Sequence, residues 1–508
     1  MQAFLSQARC AAVFENDEEL FIFAEGEDSA RYSISGDDTK CLLHLWSSER
    51  NLVRRVLEYE AKKDSLALSV QRFGQAKPAR MEIVRDRDRR TVAARKSARV
   101  TYARLLERVL ARNFPDLTAS RLSSAVDLER SFGPIYARGT LGRGRTTFAV
   151  LGVNPEESQA SIDAALTFGL LWLDRCRESQ QKQVVGGLKL IVPRGTSAAL
   201  RERMACLNHA TAKFELHELD EREHTLEALD CSDRGNIRTN LVRAVDQERA
   251  RERLAEAIEQ VFALTPQPTE VEIAAASPVE ISFRLRGLEF ARATLAQASG
   301  LAHGEAEIIL GAGAHQTALN AESEPLLRSL VAELFRARRP EGERNHPLWR
   351  MRPERWLESL VVGDVSAIDS ALDPLHVYSQ VPAFSASDRA MIDVLAATRE
   401  GRLAVIELKA DEDIHLPLQG LDYWARVAWH HERGEFQRYG YFAGRELSPL
   451  PPRLLLVAPA LHIHPATDAL LKYLSPEIDW ELAGVDEHWR NEIKVVFRKR
   501  SQMAANAR

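Results

Sequence analysis

Two acidic residues and a lysine lie in otherwise apolar sequence in the last quarter of the chain. Asp393 falls within the run MIDVLAA, and Glu407 and Lys409 end the run LAVIELK. Two carboxylates about 5 Å apart repel each other by roughly 3 kcal/mol at an effective dielectric constant near 20. A divalent cation relieves that repulsion, and oxygen ligands without His or Cys favour a hard ion. These residues therefore predict a site for Mg²⁺ (or Mn²⁺), an ion that also binds substrate phosphates.

The elements that must position these residues form a hairpin. The two apolar runs are separated by TREGR, which predicts two antiparallel strands joined by a loop. If Ala397 pairs with Leu403, Asp393 lies opposite Glu407, with Cβ atoms roughly 4.5–5.5 Å apart. The two-residue period of a strand then places Lys409 on the same face. The alternative is an exposed hairpin with an ion pair worth under about 1 kcal/mol, which leaves acids within apolar runs unexplained.

A helix is predicted directly after this hairpin. Pro417 is acceptable in a first helical turn, and LQGLDYWARVAWHH continues from it. Gln419 and Tyr423 are four residues apart and so lie on one face.

The pattern Asp393 … Glu407-Leu408-Lys409 … Gln419-x-x-x-Tyr423 resembles the PD-(D/E)XK nuclease superfamily. The Gln-x-x-x-Tyr element is typical of its RecB-type branch, and the wording of the hairpin is similar to the NucS-like endonucleases. The resemblance covers about 150 residues, 347–500. It implies a mixed sheet flanked by helices and Mg²⁺-dependent hydrolysis of phosphodiester bonds in nucleic acid, with DNA as the expected partner.

The resemblance also implies roles for individual residues. Asp393 and Glu407, together with the Leu408 carbonyl, would hold the cation. Lys409 would orient the attacking water and offset charge in the transition state.

Three further residues complete the expected catalytic set. Gln419 and Tyr423 would position the site or the backbone phosphate. Glu358, in PERWLESLV, matches an acid that the family often carries on the preceding helix.

Two rival functions come from other classes. A nuclease fold that no longer cuts could serve as a nucleic-acid-binding or scaffold protein, against which the intact motif counts. A non-nuclease α/β hydrolase would need a Gly-x-Ser-x-Gly elbow, which the chain lacks. Internal or terminal cutting, and the need for an ATP-driven partner, stay open at this stage.

The composition sets the broad class. The chain has 508 residues, 45% apolar and 28% charged, which is ordinary for a globular protein of several domains. Its net charge of −5 argues against indiscriminate binding of nucleic acid over the whole surface. Five scattered cysteines without a CxxC pair indicate a reducing compartment, and no apolar run is long enough for a membrane span. We expect a cytoplasmic protein.

Local basic segments are a separate signal. Residues 72–112 hold 13 Lys or Arg against 4 Asp or Glu. The segment is either a solvated linker or helix face, or an arm that follows phosphates along a nucleic acid. Arg336, Arg338 and Arg339 form a second predicted basic cluster.

An internal repeat is predicted between residues 100–230 and the nuclease-like module. With an offset of 255, FAVLGVNPEE lies on LAVIELKADE. The alignment then matches Arg138 with Asp393, Gly152 with Glu407, Asn154 with Lys409, Ala164 with Gln419 and Phe168 with Tyr423. Upstream, LLERVL resembles WLESLV, which matches Glu107 with Glu358. The first copy would therefore lack the metal site. It could act as an internal pseudo-dimer partner in place of a homodimer, or as a clamp on the duplex. Two unrelated α/β segments are the alternative.

The expected fold class is α/β with mixed sheets and small β-rich domains. SSERNLVRRVLEYEAKK (47–63) and the segment 236–264 predict helices, and TPQPTEVEIAAASP predicts a linker. The predicted parts are a β-rich domain with a basic arm (1–98), a degenerate nuclease-like module (99–235), a helix and linker (236–277), a small β-rich unit plus helix (278–345) and the nuclease-like domain (346–500).

Overall fold

The protein is a mixed α/β chain built on four sheets, as seen in a computed structural model. The structure describes residues 11–15, 18–23, 31–37, 40–46, 51–61, 65–72, 78–85, 92–127, 131–179, 183–232, 239–295, 306–311, 317–385 and 391–501. Among these residues no helix is both long enough and apolar enough to cross a membrane.

An antiparallel sheet of seven strands forms the N-terminal part. Its strands are β1 Ala11–Glu15, β2 Glu18–Phe23, β3 Arg31–Asp37, β4 Lys40–Trp46, β5 Asn51–Ala61, β6 Ser65–Arg72 and β7 Ala79–Arg85, in the order β2-β1-β7-β6-β5-β4-β3. The predicted helix over this region is wrong for its described residues, because β5 pairs with β4 on one side and β6 on the other. Its Val and Leu positions suit a helical stripe as well as a strand, and the pairing decides between them.

The second sheet belongs to a helix–strand unit that we call the first module (residues 92–229). Its elements are α1 Val92–Asn113, β8 Thr118–Ala119, β9 Tyr136–Arg143, β10 Thr146–Val153, α2 Gln159–Asp163, α3 Ala165–Ser179, β11 Val184–Pro193, α4 Ala198–Met204, β12 Lys213–Asp220 and β13 Thr225–Leu229. Helix α1 crosses the predicted boundary at residue 98. Its buried residues, which include Tyr102 and Leu106, pack against the sheet of this module. Residues 73–77 and 86–91 of the predicted basic segment (72–112), the latter with Arg87 and Arg90, lie outside the described residues, and its other residues belong mainly to β7 and α1.

A middle unit follows, with a five-stranded antiparallel sheet and its own core around Phe283, Phe290 and Val331. The elements from β14 onward are β14 Thr239–Leu241, α5 Gln247–Arg253, α6 Ala255–Ala263, a 3₁₀ turn Pro268–Glu270, β15 Val271–Ser277, β16 Glu280–Leu285, β17 Leu288–Leu295, β18 Ala306–Leu310, β19 Thr317–Ala318 and α7 Glu324–Ala337. The predicted linker is therefore largely a strand, β15, which pairs with β16.

Of the predicted basic cluster at the end of α7, Arg336 and Arg339 are exposed but Arg338 is not. The Arg338 side chain is fully buried and donates to the backbone carbonyls of Leu285 at 3.1 Å and Met351 at 2.7 Å. It ties the middle unit to the next segment and cannot serve as a surface charge.

The fourth sheet belongs to the second module (residues 347–500, with β14). Its further elements are α8 Pro347–Arg350, α9 Pro353–Gly363, a 3₁₀ turn Val365–Ala367, β20 Leu372–Ser385, β21 Met391–Thr398, β22 Leu403–Leu408, α10 Leu416–Glu432, α11 Glu435–Arg438, β23 Arg453–Pro459, a 3₁₀ turn Ala460–His462, α12 Thr467–Leu471, β24 Asp479–Val485 and β25 Val495–Arg500. The strand order is β14-β20-β21-β22-β23-β24-β25. Strand β14 pairs with β20, so this sheet takes an edge strand from before the middle unit.

The two modules share one topology. The order β8 to β13 has the same sequence of pairings as β20 to β25: antiparallel, antiparallel, parallel, parallel, antiparallel. In each module a helix (α3 or α10) connects the first two parallel strands and packs on both. The inner faces of the two modules join in a single core, in which Leu190 and Leu456 are both fully buried.

Candidate active site

The hairpin β21–β22 has the predicted register. Ala397 pairs with Leu403 and Val394 pairs with Ile406. Beyond this point the Leu408 N–H donates to Asp393 Oδ2 at 3.1 Å, so a side chain takes the place of the backbone partner. The Asp393 carboxylate is thereby held at the end of the ladder, next to the residues that end β22.

Helix α10 covers the face of β22 that carries Glu407. A Cβ atom on Gly420 would lie 2.5 Å from Leu456 Cδ2 and 3.6 Å from Glu407 Cβ. A glycine is therefore needed for the helix to rest on the strand at this level. The result is a Glu407 side chain that is only 1% exposed.

The Glu407 carboxylate is electrostatically frustrated. Burial, and then the nearby Asp393 carboxylate, hold the pKa of Glu407 well above its usual range, while Lys409 opposes the shift. Lys409 Nζ donates to Glu407 Oε1 at 3.1 Å, as the two-residue period predicts. Glu407 Oε2 is buried and accepts no hydrogen bond from any described residue. A buried carboxylate oxygen without a donor is satisfied by a proton or by a cation.

A cation suits this pair in charge and in donor type. Asp393 and Glu407 supply oxygen ligands and leave the remaining positions of a Mg²⁺ ion to water and substrate. Over the described ranges, no group of three or more His, Cys, Asp or Glu side chains is arranged to hold an ion. Asp393 and Glu407 are thus two ligands only, and water and substrate would have to supply the others.

Glu358 joins the site from helix α9. It is 6% exposed, and its Oε2 accepts from Arg355 Nη1 at 2.8 Å and from Gln380 Nε2 at 3.0 Å. Burial raises the pKa of Glu358 to about 7, with Asp393 contributing and Arg355 opposing. The structure thus brings Glu358 to Asp393, with Gln380 between them.

Gln380 was missed by the sequence analysis. Its Nε2 lies 3.4 Å from Asp393 Oδ1, so one amide bridges the carboxylates of Glu358 and Asp393. Its backbone has φ of +52°, in the left-handed region that non-glycine residues rarely adopt. Such strain costs about 1–3 kcal/mol and persists where the surroundings hold it, often at functional sites. A polar residue within the strand VYSQVPAF was its sole signal in the sequence.

We expect Gln380→Ala to lower cleavage by about tenfold, the value of one hydrogen bond to a charged group. The hydrogen bond from Gln380 also lowers the pKa of Glu358. Its loss should therefore move the acidic limb of the pH–rate profile to higher pH. Gln437→Ala, at an exposed glutamine of α11, is the control. An unchanged rate and pH profile would exclude a positioning role for Gln380.

Tyr423 and Gln419 lie in different surroundings. Burial, followed by the negative charges of Glu407 and Asp393, raises the pKa of Tyr423, so its phenol lies within electrostatic range of the acidic pair. Gln419 lines a cavity of about 620 Å³ between α10 and the helices of the first module. Its Oε1 is buried and accepts from none of the described residues. Arg203 of α4 pairs with Asp422 at 2.7 Å across the same cavity wall.

The parallel ladders fix which residues of the two modules correspond. LKLIVP (188–193) aligns with LLLVAP (454–459), and Leu190 and Leu456 both face the shared core. Leu151 pairs with Leu190, and Glu407 pairs with Leu456. Leu151 therefore stands where Glu407 stands, and the predicted match of Gly152 with Glu407 is wrong by one residue.

This slip has a physical cause. The turn between β9 and β10 is shorter than the turn at residues 399–401, and a shift of one residue moves every side chain to the opposite face. Gly152 faces α1, where a Cβ would lie 2.9 Å from Tyr102 Oη. Val153, and not Asn154, then matches Lys409.

Arg138 does match Asp393, because it pairs with Leu151. Its guanidinium is buried, 4.4 Å from the centre of the Phe132 ring. Burial lowers the pKa of Arg138 to about 10. A permanent cation thus lies where the second module has an acid.

The helices correspond with a shift of one turn from the predicted alignment. Gly169 packs on Leu188 as Gly420 packs on Leu454 and Leu456, which matches Trp172 with Tyr423 and replaces the predicted match of Phe168. By the same shift Phe168, and not Ala164, corresponds to Gln419.

Glu107, which the predicted repeat matches with Glu358, has a different role. It accepts the backbone N–H of Leu122 at 2.7 Å and so holds a loop in place. The first module has the topology of the second without its acidic pair.

No protein-family model, no curated protein and no solved structure matches this chain. A function for the site therefore has to come from its geometry.

Proposed function

We propose that this protein is a Mg²⁺-dependent nuclease that hydrolyses phosphodiester bonds, with DNA as its substrate. The second module would be its catalytic domain, of the PD-(D/E)XK type. The observation that supports this most directly is the buried Glu407–Asp393 pair with Lys409 on one Glu407 oxygen and no partner on the other.

Each group has a distinct role in the proposed reaction. Asp393 and Glu407 would hold the ion, which supplies Lewis-acid stabilisation of charge on the phosphate when bound. Lys409 keeps its charge, because Glu407 and Glu354 raise its pKa against the effect of burial. Its ammonium can orient a water molecule and offset the charge of the pentacovalent transition state.

The surrounding residues position this centre. Gln380 and Glu358 fix the orientation of Asp393 through the amide bridge. Tyr423, within electrostatic range of the acidic pair, is available to contact a substrate phosphate as a neutral donor at any physiological pH. Gln419, on the cavity side of α10, would position the site or the backbone phosphate.

A binding or scaffold protein without activity is the second candidate. The first module would be an example of such a domain, because Leu151 and Arg138 lie at the positions that correspond to Glu407 and Asp393. The second module has Asp393, Glu407 and Lys409 in place. Burial of two repelling carboxylates destabilises the fold, and a scaffold protein would gain nothing from that cost.

The test is cleavage of end-labelled DNA with and without Mg²⁺. We expect Lys409→Ala to reduce the rate by about 10²-fold or more, because its charge serves the transition state. Lys499→Ala, an exposed lysine on the edge strand β25, is the matched control and should cleave normally. Equal rates for the two variants would contradict the assigned role of Lys409.

A further inference from the structure

The two modules contact each other reciprocally. The Ser475 N–H donates to the Cys206 carbonyl, and the Asn208 N–H donates to the Tyr473 carbonyl, each at 2.8 Å. Between them Leu207 and Leu474 form an isolated antiparallel bridge. These segments follow α4 and α12 and lead into β12 and β24, so they are equivalent parts of the two modules.

Exchange of the two modules converts each of these hydrogen bonds into the other. The helices obey the same rule, since α3 contacts α12 and α10 contacts α4. This is the isologous pattern of a twofold dimer, formed here within one chain and closed over one core. A pseudo-twofold axis therefore passes beside Leu207 and Leu474.

Duplex DNA has local twofold axes that exchange its antiparallel strands, and proteins with twofold symmetry align with them. We propose that the protein binds duplex DNA across both modules and cuts only one of its strands, leaving a nick. This inference rests on the proposed nuclease function. It deepens that function by assigning the substrate as double-stranded and the product as a single-strand break.

The chemistry follows from the residues at the two equivalent positions. At the second module, water adds to phosphorus, one P–O ester bond breaks, and the water proton passes to the departing alkoxide oxygen. One fragment of the cut DNA strand then ends in a phosphate, and the other fragment of that strand ends in a hydroxyl. At the first module, Leu151 and Arg138 replace the acids, and Val153 replaces the lysine. At these positions, the DNA strand that faces the first module meets none of the groups that would hold an ion or orient water in the second.

The buried guanidinium of Arg138 prevents the first module from binding a cation at the equivalent position. It is packed between the Phe132 ring and helix α3 and donates to the Ala125 carbonyl. Cations are thus excluded by charge from the position that Asp393 occupies in the second module. A cut of both strands in one binding event would need a second acidic pair at the equivalent positions, which is not found among the described residues of the first module.

The test is digestion of supercoiled plasmid by the full chain with Mn²⁺ or Mg²⁺. We expect supercoiled plasmid to be lost to open circles before any linear plasmid forms. A short duplex labelled on both strands should remain intact on a native gel; on a denaturing gel either strand should be cut, because the duplex can bind in two orientations, but early products should carry one break per molecule. The Glu407→Gln variant should leave both substrates uncut.

The other outcomes are distinct. Linear plasmid as a first product would overturn the single-strand inference while leaving the nuclease function in place; a rise of that product with protein concentration would identify a second copy as the source of the second cut. Cleavage of single-stranded DNA with the duplex untouched would also overturn it. Absence of metal-dependent cleavage on every DNA substrate would instead remove the proposed function itself.

Discussion

Replacing Glu407 with glutamine should abolish metal-dependent cleavage, with a loss of at least about 10³-fold, because the amide cannot supply the second negative charge to the ion. The same change should leave the protein at least as stable as the wild type. The wild-type carboxylate is buried beside Asp393 with one unpartnered oxygen, and a neutral amide of the same shape removes that repulsion. Steady-state cleavage and a thermal melt of the same preparation measure both effects.

Glu400→Gln is the matched control for this experiment. Glu400 lies in the turn of the same hairpin and is exposed, so it tests the loss of a negative charge without touching the pair. Cleavage by Glu407→Gln at the wild-type rate would remove Glu407 from the active site. A large drop in melting temperature for this variant would show that the carboxylate stabilises the fold.

Removal of divalent ions should have an effect of similar size. We expect no cleavage in EDTA, recovery with Mg²⁺ or Mn²⁺, and poor support by Ca²⁺, whose coordination is larger and less regular. Full activity in EDTA would exclude a mechanism based on the acidic pair.

Binding of the ion can also be measured without cleavage. The raised pKa values of Glu358 and Glu407 mean that the folded chain holds these protons more tightly than the unfolded chain. Without an ion, stability therefore falls as the pH rises above the ordinary carboxyl pKa of 4.5, and for Glu358 this continues to about 7. An ion binds the ionised carboxylates and so offsets that loss.

The increase in melting temperature caused by Mn²⁺ should accordingly be larger at about pH 8 than at about pH 6. Glu407→Gln should show little increase at either pH, since it lacks one of the two ligands. An equal increase in the wild type and in this variant would place the ion elsewhere.

The local parts of this site could be predicted from the sequence because they depend on contacts between near neighbours in the chain. The pairing of Ala397 with Leu403 follows from a short turn between two apolar runs, and the contact between Lys409 and Glu407 follows from the period of a strand. The mixed α/β class and the helix that carries Gln419 and Tyr423 likewise follow from the apolar pattern.

Features that depend on distant segments could not be read in this way. Gln380 reaches the site because β20 pairs with β21 and bends its backbone there, and nothing local marks it. The predicted matches of Gly152 and Asn154 were displaced by one position because a turn differs in length, which changes the face but hardly changes the apolar pattern. Arg338 lies in an arginine-rich sequence, which is typical of a surface. It is nevertheless buried, because its guanidinium donates to backbone carbonyls of other segments.

The edge strand β14 has a consequence for how the chain folds. Leu241 is buried in the shared core, Thr239 pairs with Ser385, and the Val242 carbonyl accepts from Tyr441 Oη at 2.9 Å. The whole middle unit is thus inserted between two neighbouring strands of one sheet. During synthesis β14 leaves the ribosome before that unit and must wait for β20 to emerge, so the sheet of the second module closes late. The middle unit, with its separate core, can fold first and shorten the loop whose ends must meet.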